Sequence, residues 1–181
     1  MSVAKLKPQT DLISKGPDAL LERAAEAVAG ADKILAAAKT GVAARVKELG
    51  SIDAAQHASH GLAWLATTVE GLRQLHAWAS RLQENGELRE FEHLLLAAGF
   101  AEYLAQIAGG IPMNQGEVVR VSALGVPLAD VRRFEDSFAD IVAAGSDDGV
   151  KARLAELIAE HPGATTYGNS GLDETHAEIH E

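Results

Sequence analysis

Apolar residues recur every three or four positions along most of the chain, and strict apolar–polar alternation is nearly absent. That spacing lays one apolar stripe on the face of a helix, so the pattern predicts an all-α protein, a helical bundle of four to five helices. The first helix opens at Gly16-Pro17-Asp18, where proline suits the first turn and an early aspartate suits the positive end of the dipole. Its stripe reads Leu21, Ala24, Val28, Ala31, Leu35, Ala38, Val42. Gly30 and Gly41 are expected to bend this helix or end it early.

Ser51 is read as the cap of the second helix, with Ile52 and Asp53 in its first turn. This helix carries two stripes. One is Leu62, Leu65, Val69, Leu72, His76, Ala79, and the other is Gly61, Trp64, Thr68, Gly71, Leu75, Trp78, Leu82. Two stripes mean cover on two sides. Asn85-Gly86 supplies the stop. A third helix is predicted from near Glu87 to Ala108, with Glu87, Glu90 and Glu92 at its N-terminal end and an almost wholly apolar run after Leu94. It is the expected central helix, ended by Gly109-Gly110 and kept closed by Pro112.

The segment IPMNQGEVVRVSALG reads as a linker with at most a short helical turn. Pro127 begins a fourth helix with Leu128, Val131, Phe134, Phe138, Ile141 and Val142 as its apolar set. Ser146-Asp147-Asp148 caps a fifth, with Val150, Leu154, Leu157 and Ile158 facing inward, and His161-Pro162-Gly163 stops it. The expected organisation is a flexible arm over 1–16, a helical bundle over 17–161, and over 162–181 a linker leading into the start of a further body. Leu172, Ile179 and the nearby acidic residues look like the opening of a helix that the chain does not complete.

At 181 residues the chain is expected to hold one domain with a large enough core to need no covalent staple. It has no cysteine, which removes disulfides, thiolate nucleophiles and cysteine-ligated zinc and fits a reducing, cytoplasmic setting. The net charge is −10, of which −6 falls on residues 146–181. Phosphate backbones and anionic membrane surfaces would be repelled, so neither nucleic acid nor membrane is an expected partner. No run approaches the roughly 20 apolar residues that cross a bilayer.

Candidate chemistry is sparse. Glu90-x-x-His93 has the spacing of a di-iron carboxylate ligand pair, but such sites need two such motifs and two further glutamates. Asp173-x-x-His176 is only a look-alike in the tail. His57 and His60 lie one turn apart and His76 several turns on; a shared metal would need a ligand from another helix. The plainer reading places these histidines where helices meet and water enters. Glu102 is the one charge in its stretch of the third helix and is read as paired or turned outward. Trp64, Trp78, Phe100 and Tyr103 are candidates to line a small-molecule pocket. Asn114 and Gln115 lie in the linker, which is read as fixing the crossover between two helical blocks. No residue is assigned as catalytic, cofactor-binding or metal-ligating; His57, His60, Trp64, His76, Trp78, Glu102, Tyr103, Asn114 and Gln115 form a candidate polar seam or interface.

The stretch HASHGLAWLATTVEGLRQLHAWASRL, with FAEYLAQIAGGIPMNQGEVVR after it, resembles the N-terminal helical extension of an acyl-CoA dehydrogenase subfamily that serves the ethylmalonyl-CoA pathway. The likeness is good over about 50–125 and looser at the ends, where Gly168-Asn169-Ser170-Gly171-Leu172-Asp173 resembles the junction into the dehydrogenase body. The resemblance implies helical architecture like that of these enzymes. It also implies an FAD-dependent oxidation of an acyl-CoA at Cα–Cβ in the full-length protein, with electrons passing to electron-transferring flavoprotein. The flavin, the CoA groove and the catalytic glutamate would lie beyond residue 181, leaving no cofactor in this segment. Its expected role is to pack on that following body and to influence assembly into a homo-oligomer.

Overall fold

The structure, a computed structural model, describes residues 11–161. In chain order these form α1 (Asp11–Ser14), α2 (Pro17–Leu49), α3 (Gln56–Glu84), α4 (Glu90–Gly109), β1 (Ile111–Asn114), β2 (Glu117–Val119), a 3₁₀ turn (Val121–Leu124), α5 (Leu128–Ser146) and α6 (Asp148–Glu160). The all-α expectation holds, with one small hairpin added. The arm read over 1–16 includes α1, a single turn that packs on α2 and α5. The rest of that arm, the C-terminal linker, the incipient helix and Asp173-x-x-His176 lie outside the described residues. Among the described helices none is long and apolar enough to cross a membrane.

Four long helices make the bundle: α2 lies beside α3, α3 beside α4, α4 beside α5, and α5 returns to α2. The core between them is filled by Leu20, Leu65, Leu72, Leu96, Phe100, Leu104, Ile107 and Ile141, all at most 1% exposed. Each such side chain contributes about 1.5–3 kcal/mol relative to staying in water. The small-residue stripe of α2 is the predicted one in register, with Ala24, Ala31, Leu35, Ala38 and Val42 buried. In α6 only Val150 is buried, while Leu154 and Leu157 are half-covered and Ile158 is exposed, so this helix is less inward than its stripe suggested.

Three local readings need correction. First, α2 passes through Gly30 and Gly41 without a break and ends only at Gly50, whose φ of 82° is the left-handed stop. Tertiary contact outweighs the local cost of those glycines. A Cβ at Gly30 would meet the Phe138 ring at 2.4 Å, and one at Gly41 would meet the Leu124 carbonyl at 2.3 Å. Second, Ser51 does not cap α3. Its Oγ accepts from the Ala54 amide at 3.1 Å and serves a turn ahead of the helix, which begins at Gln56. Likewise α4 begins at Glu90, after Glu87 and Leu88 have donated their amides to the Leu82 carbonyl.

Third, the linker contains an antiparallel hairpin. Ile111 pairs with Val119, Pro112 with Val118 and Asn114 with Glu117, leaving Met113 as a bulge. Asn114 Oδ1 accepts from the Gly116 amide at 2.9 Å and closes the turn. Proline is tolerated because a two-stranded ribbon leaves one edge of each strand unpaired. Ile111 and Val119 point into the core and Val118 points out, the period-two signature of a strand compressed into very few residues.

α4 and α5 approach each other closely at Gly145. A Cβ placed on Gly145 would lie 2.0 Å from the Ala97 carbonyl oxygen and 2.7 Å from the Ala101 methyl. α5 also breaks at Phe138 (φ −119°, ψ 15°). Arg23 of α2 fills the break. It donates to the Ser137 carbonyl, makes a two-point contact with Asp140 at 2.9 and 2.8 Å, and stacks 5.0 Å over the Phe138 ring.

Gly145→Ala should therefore lower unfolding stability by about 3 kcal/mol, as an overpacked contact against backbone. Gly109→Ala, in a helical position with nothing within 4 Å of the new methyl, should change it by less than about 1 kcal/mol and in the stabilising direction. Urea denaturation of both variants checks the pair; similar midpoints would mean that α4 and α5 do not meet at Gly145.

Candidate functional site: a polar and aromatic seam

The residues singled out from the sequence fall into separate local groups. At the start of α3, exposed His57 places Nδ1 3.2 Å from Glu117 Oε1 of β2. Asn114 Nδ2 donates to the other oxygen of Glu117 at 3.3 Å, and Gln115 lies exposed in the hairpin turn. This group ties the hairpin to α3. Glu117 was not anticipated, because its role depends on a strand pairing that the sequence pattern hid.

One turn on, His60 Nε2 accepts from Trp64 Nε1 at 3.2 Å, with the rings edge to face at 6.4 Å. Accepting at Nε2 requires the neutral tautomer with its proton on Nδ1. His76 is half-buried further along the same helix, about 28 Å from His57 on a rise of 1.5 Å per residue. No single metal ion spans that distance.

On α4, Glu102 is exposed and accepts from Gln106 Nε2 at 2.8 Å, as the outward reading expected. Tyr103 covers Gly71 of α3, where a Cβ would meet its ring at 2.8 Å, and Leu75 of α3 covers Gly99, where a Cβ would meet Leu75 Cδ2 at 2.7 Å. Trp78 is half-buried in the same register. Gly71 and Leu75 of the second stripe thus meet α4, Gly61 of that stripe lies against Val119 and Leu124, and Arg73 donates to Asp32 of α2.

Of the Glu-x-x-His pair, only Glu90 is committed elsewhere. Glu90 receives Arg153 of α6 in a two-point contact at 2.8 and 3.0 Å, which holds its carboxyl below the usual range. Glu92 turns back to accept from the Arg89 amide at 3.1 Å and caps α4. His93 is buried, and its Nε2 has no hydrogen-bond partner. Among the described residues no three histidine, aspartate or glutamate side chains gather as a metal-ligand group.

The four aromatic residues do not form one pocket either. Phe100 is fully buried in the core, whereas Trp64 and Tyr103 are 37% and 38% exposed. An open cleft of about 490 Å³ lies instead between α2 and α5, over Gly30, Ile34, Phe134 and Phe138. Its rim sets Glu26 and Asp130 beside Lys33 and Arg133. Two carboxylates against two cations leave the charged side chains of this rim with no net charge.

Burial disfavours the charged imidazolium and pushes the His93 pKa below its ordinary 6.5. The unfolded chain then binds a proton that the folded chain refuses, in the window below 6.5 and above the folded value. Stability should rise with pH across that window and be independent of His93 above it. Thermal midpoints from pH 5 to 7 should therefore climb more steeply for the parent than for His93→Gln; parallel profiles would show that His93 is accessible to solvent.

No protein-family model matches the chain. Over 164 residues, 86% of the chain, it is 40% identical to the (2S)-methylsuccinyl-CoA dehydrogenase of Cereibacter sphaeroides, and it spans only 29% of that protein. The resemblance carried by the α3–α4 stretch is met by this match: the chain is related in sequence to a partial region of an acyl-CoA dehydrogenase.

Proposed function

We propose that this chain is a non-catalytic helical domain that packs against and helps assemble an FAD-dependent acyl-CoA dehydrogenase. In the full-length protein the reaction would be oxidation of methylsuccinyl-CoA to mesaconyl-CoA, with electrons passing to electron-transferring flavoprotein. The domain stands at the N-terminal side of the dehydrogenase body, in a cytoplasmic homo-oligomer of the ethylmalonyl-CoA pathway. FAD supplies hydride acceptance when bound to that body; the residues described here bind neither it nor the acyl-CoA. Their work is mechanical, to hold a rigid surface in place.

The observation that carries this reading is the extent of the match. Identity of 40% runs through most of this chain yet takes up less than a third of the enzyme. A shared region of that size, closely packed and with Glu90 and Glu92 committed to pairing and capping, is suited to a structural task. Of the Glu90 and His93 pair in the stand-alone metal-bundle alternative, Glu90 is held by Arg153.

Residues 1–181 alone should be colourless at 450 nm, reduce no acceptor dye with methylsuccinyl-CoA, and carry less than about a tenth of an equivalent of iron or zinc. Stoichiometric flavin with dye reduction would overturn the non-catalytic assignment. Stoichiometric metal lost in His93→Ala would favour the metal bundle.

A further inference from the structure

α5 is one helix in outline and two in construction. Phe138 is non-helical, and no proline or glycine lies between Leu128 and Ala144 to account for the break. The cause comes from α2. The Arg23 guanidinium enters the backbone ladder and takes the Ser137 carbonyl, which a continuous helix gives to the amide four residues on. The same guanidinium grips Asp140 beyond the break at 2.9 and 2.8 Å and covers the Phe138 ring between them. One side chain thus spans the break and ties it to α2.

The two halves are held unequally. In residues 139–146, Ile141 and Ala144 are wholly excluded from water and Gly145 rests on the Ala97 carbonyl. In residues 128–137, Val131 and Phe134 keep a little exposed surface and Leu128 is exposed. The cleft of about 490 Å³ between α2 and α5 is bordered on α5 by Asp130, Arg133, Phe134, Ser137 and Phe138, none of them beyond the break. That cleft therefore runs along the first half only.

We propose that α5 is a jointed helix whose first half, residues 128–137, moves on the joint at Phe138 and is latched by Arg23. Unlatching widens the α2–α5 cleft and uncovers Phe134 and Ile34, while the second half stays clamped on α4. A helix break with a fixed segment on one side and open space on the other is the arrangement of a hinged lid. The latch is local. The Asp140 side chain is 52% exposed, so the pair with Arg23 can part without unfolding the core. The device stands apart from the assembly role, because it needs no second chain.

The test is hydrogen–deuterium exchange of the protein as its gene encodes it, read on peptides that separate residues 128–137 from residues 141–146. Arg23→Met removes the latch and Asp140→Asn weakens it. Glu26→Gln, the control, removes a partner of Arg23 that lies on α2 and does not cross the break. Arg23→Met should speed exchange in residues 128–137 at least about ten times more than in residues 141–146. Asp140→Asn should show the same bias at about threefold or more, and Glu26→Gln should leave both segments within about twofold of the parent. Equal acceleration of both halves in Arg23→Met or Asp140→Asn would show that α5 opens as one helix and overturn the proposal. Unchanged exchange in residues 128–137, or an effect of Glu26→Gln as large as that of Arg23→Met, would overturn it as well. If circular dichroism shows that Arg23→Met does not fold, the comparison of the two halves in Asp140→Asn decides alone.

Discussion

The bundle depends on how closely α4 and α5 cross at Gly145. The absence of a side chain there lets the α5 backbone rest on the Ala97 carbonyl. Moving the helices apart by the width of a methyl group would open voids around Phe100, Leu104 and Ile141, all essentially excluded from water. Interiors pack like organic crystals, so such a gap is felt across the core. Gly41 makes a similar contact with the loop after the hairpin, where Gly125 turns the chain at φ 90°. Small residues set the spacing, and the large apolar side chains fill what that spacing leaves.

Polar groups then serve geometry rather than chemistry. Arg23 closes the break in α5 at Phe138, Arg153 moors α6 to Glu90, Glu92 caps α4, and Glu117 with Asn114 binds the hairpin turn to His57. Most of these pairs are solvent-exposed, so each adds little stability by itself. Their effect is to fix where elements lie once the core has formed. The exception is His93, a buried imidazole with an unpartnered Nε2, which makes the first turn of α4 sensitive to acid.

Much of the fold was legible in the sequence, because helix periodicity and its punctuation are local signals. Pro17 at the start of α2, Asn85-Gly86 after α3 and Gly109-Gly110 after α4 mark ends close to where the chain ends its helices. What was hidden was set by distant contacts. Gly30 and Gly41 read as breaks because their partners, Phe138 and Leu124, lie about a hundred residues away in sequence. The hairpin was masked by Pro112 and by strands too short to show alternation. Of the candidate seam, Trp64, Tyr103 and Glu102 are exposed and Trp78 is half-buried. The sequence could not show that His57 answers to Glu117, or that Tyr103 rests on Gly71, since both depend on how separate elements meet.

Hydrogen–deuterium exchange on residues 1–181 tests the central claim most directly, that this segment is by itself a rigid bundle clamped where α4 and α5 cross. Amides of residues 97–104 and 138–145 should exchange slowest, at the rate of global unfolding, and those of residues 154–160 in α6 should exchange much faster. Exchange of the α4 and α5 amides as fast as those of α6 would contradict it, because the segment would then be no fixed surface for a neighbouring body to rest on.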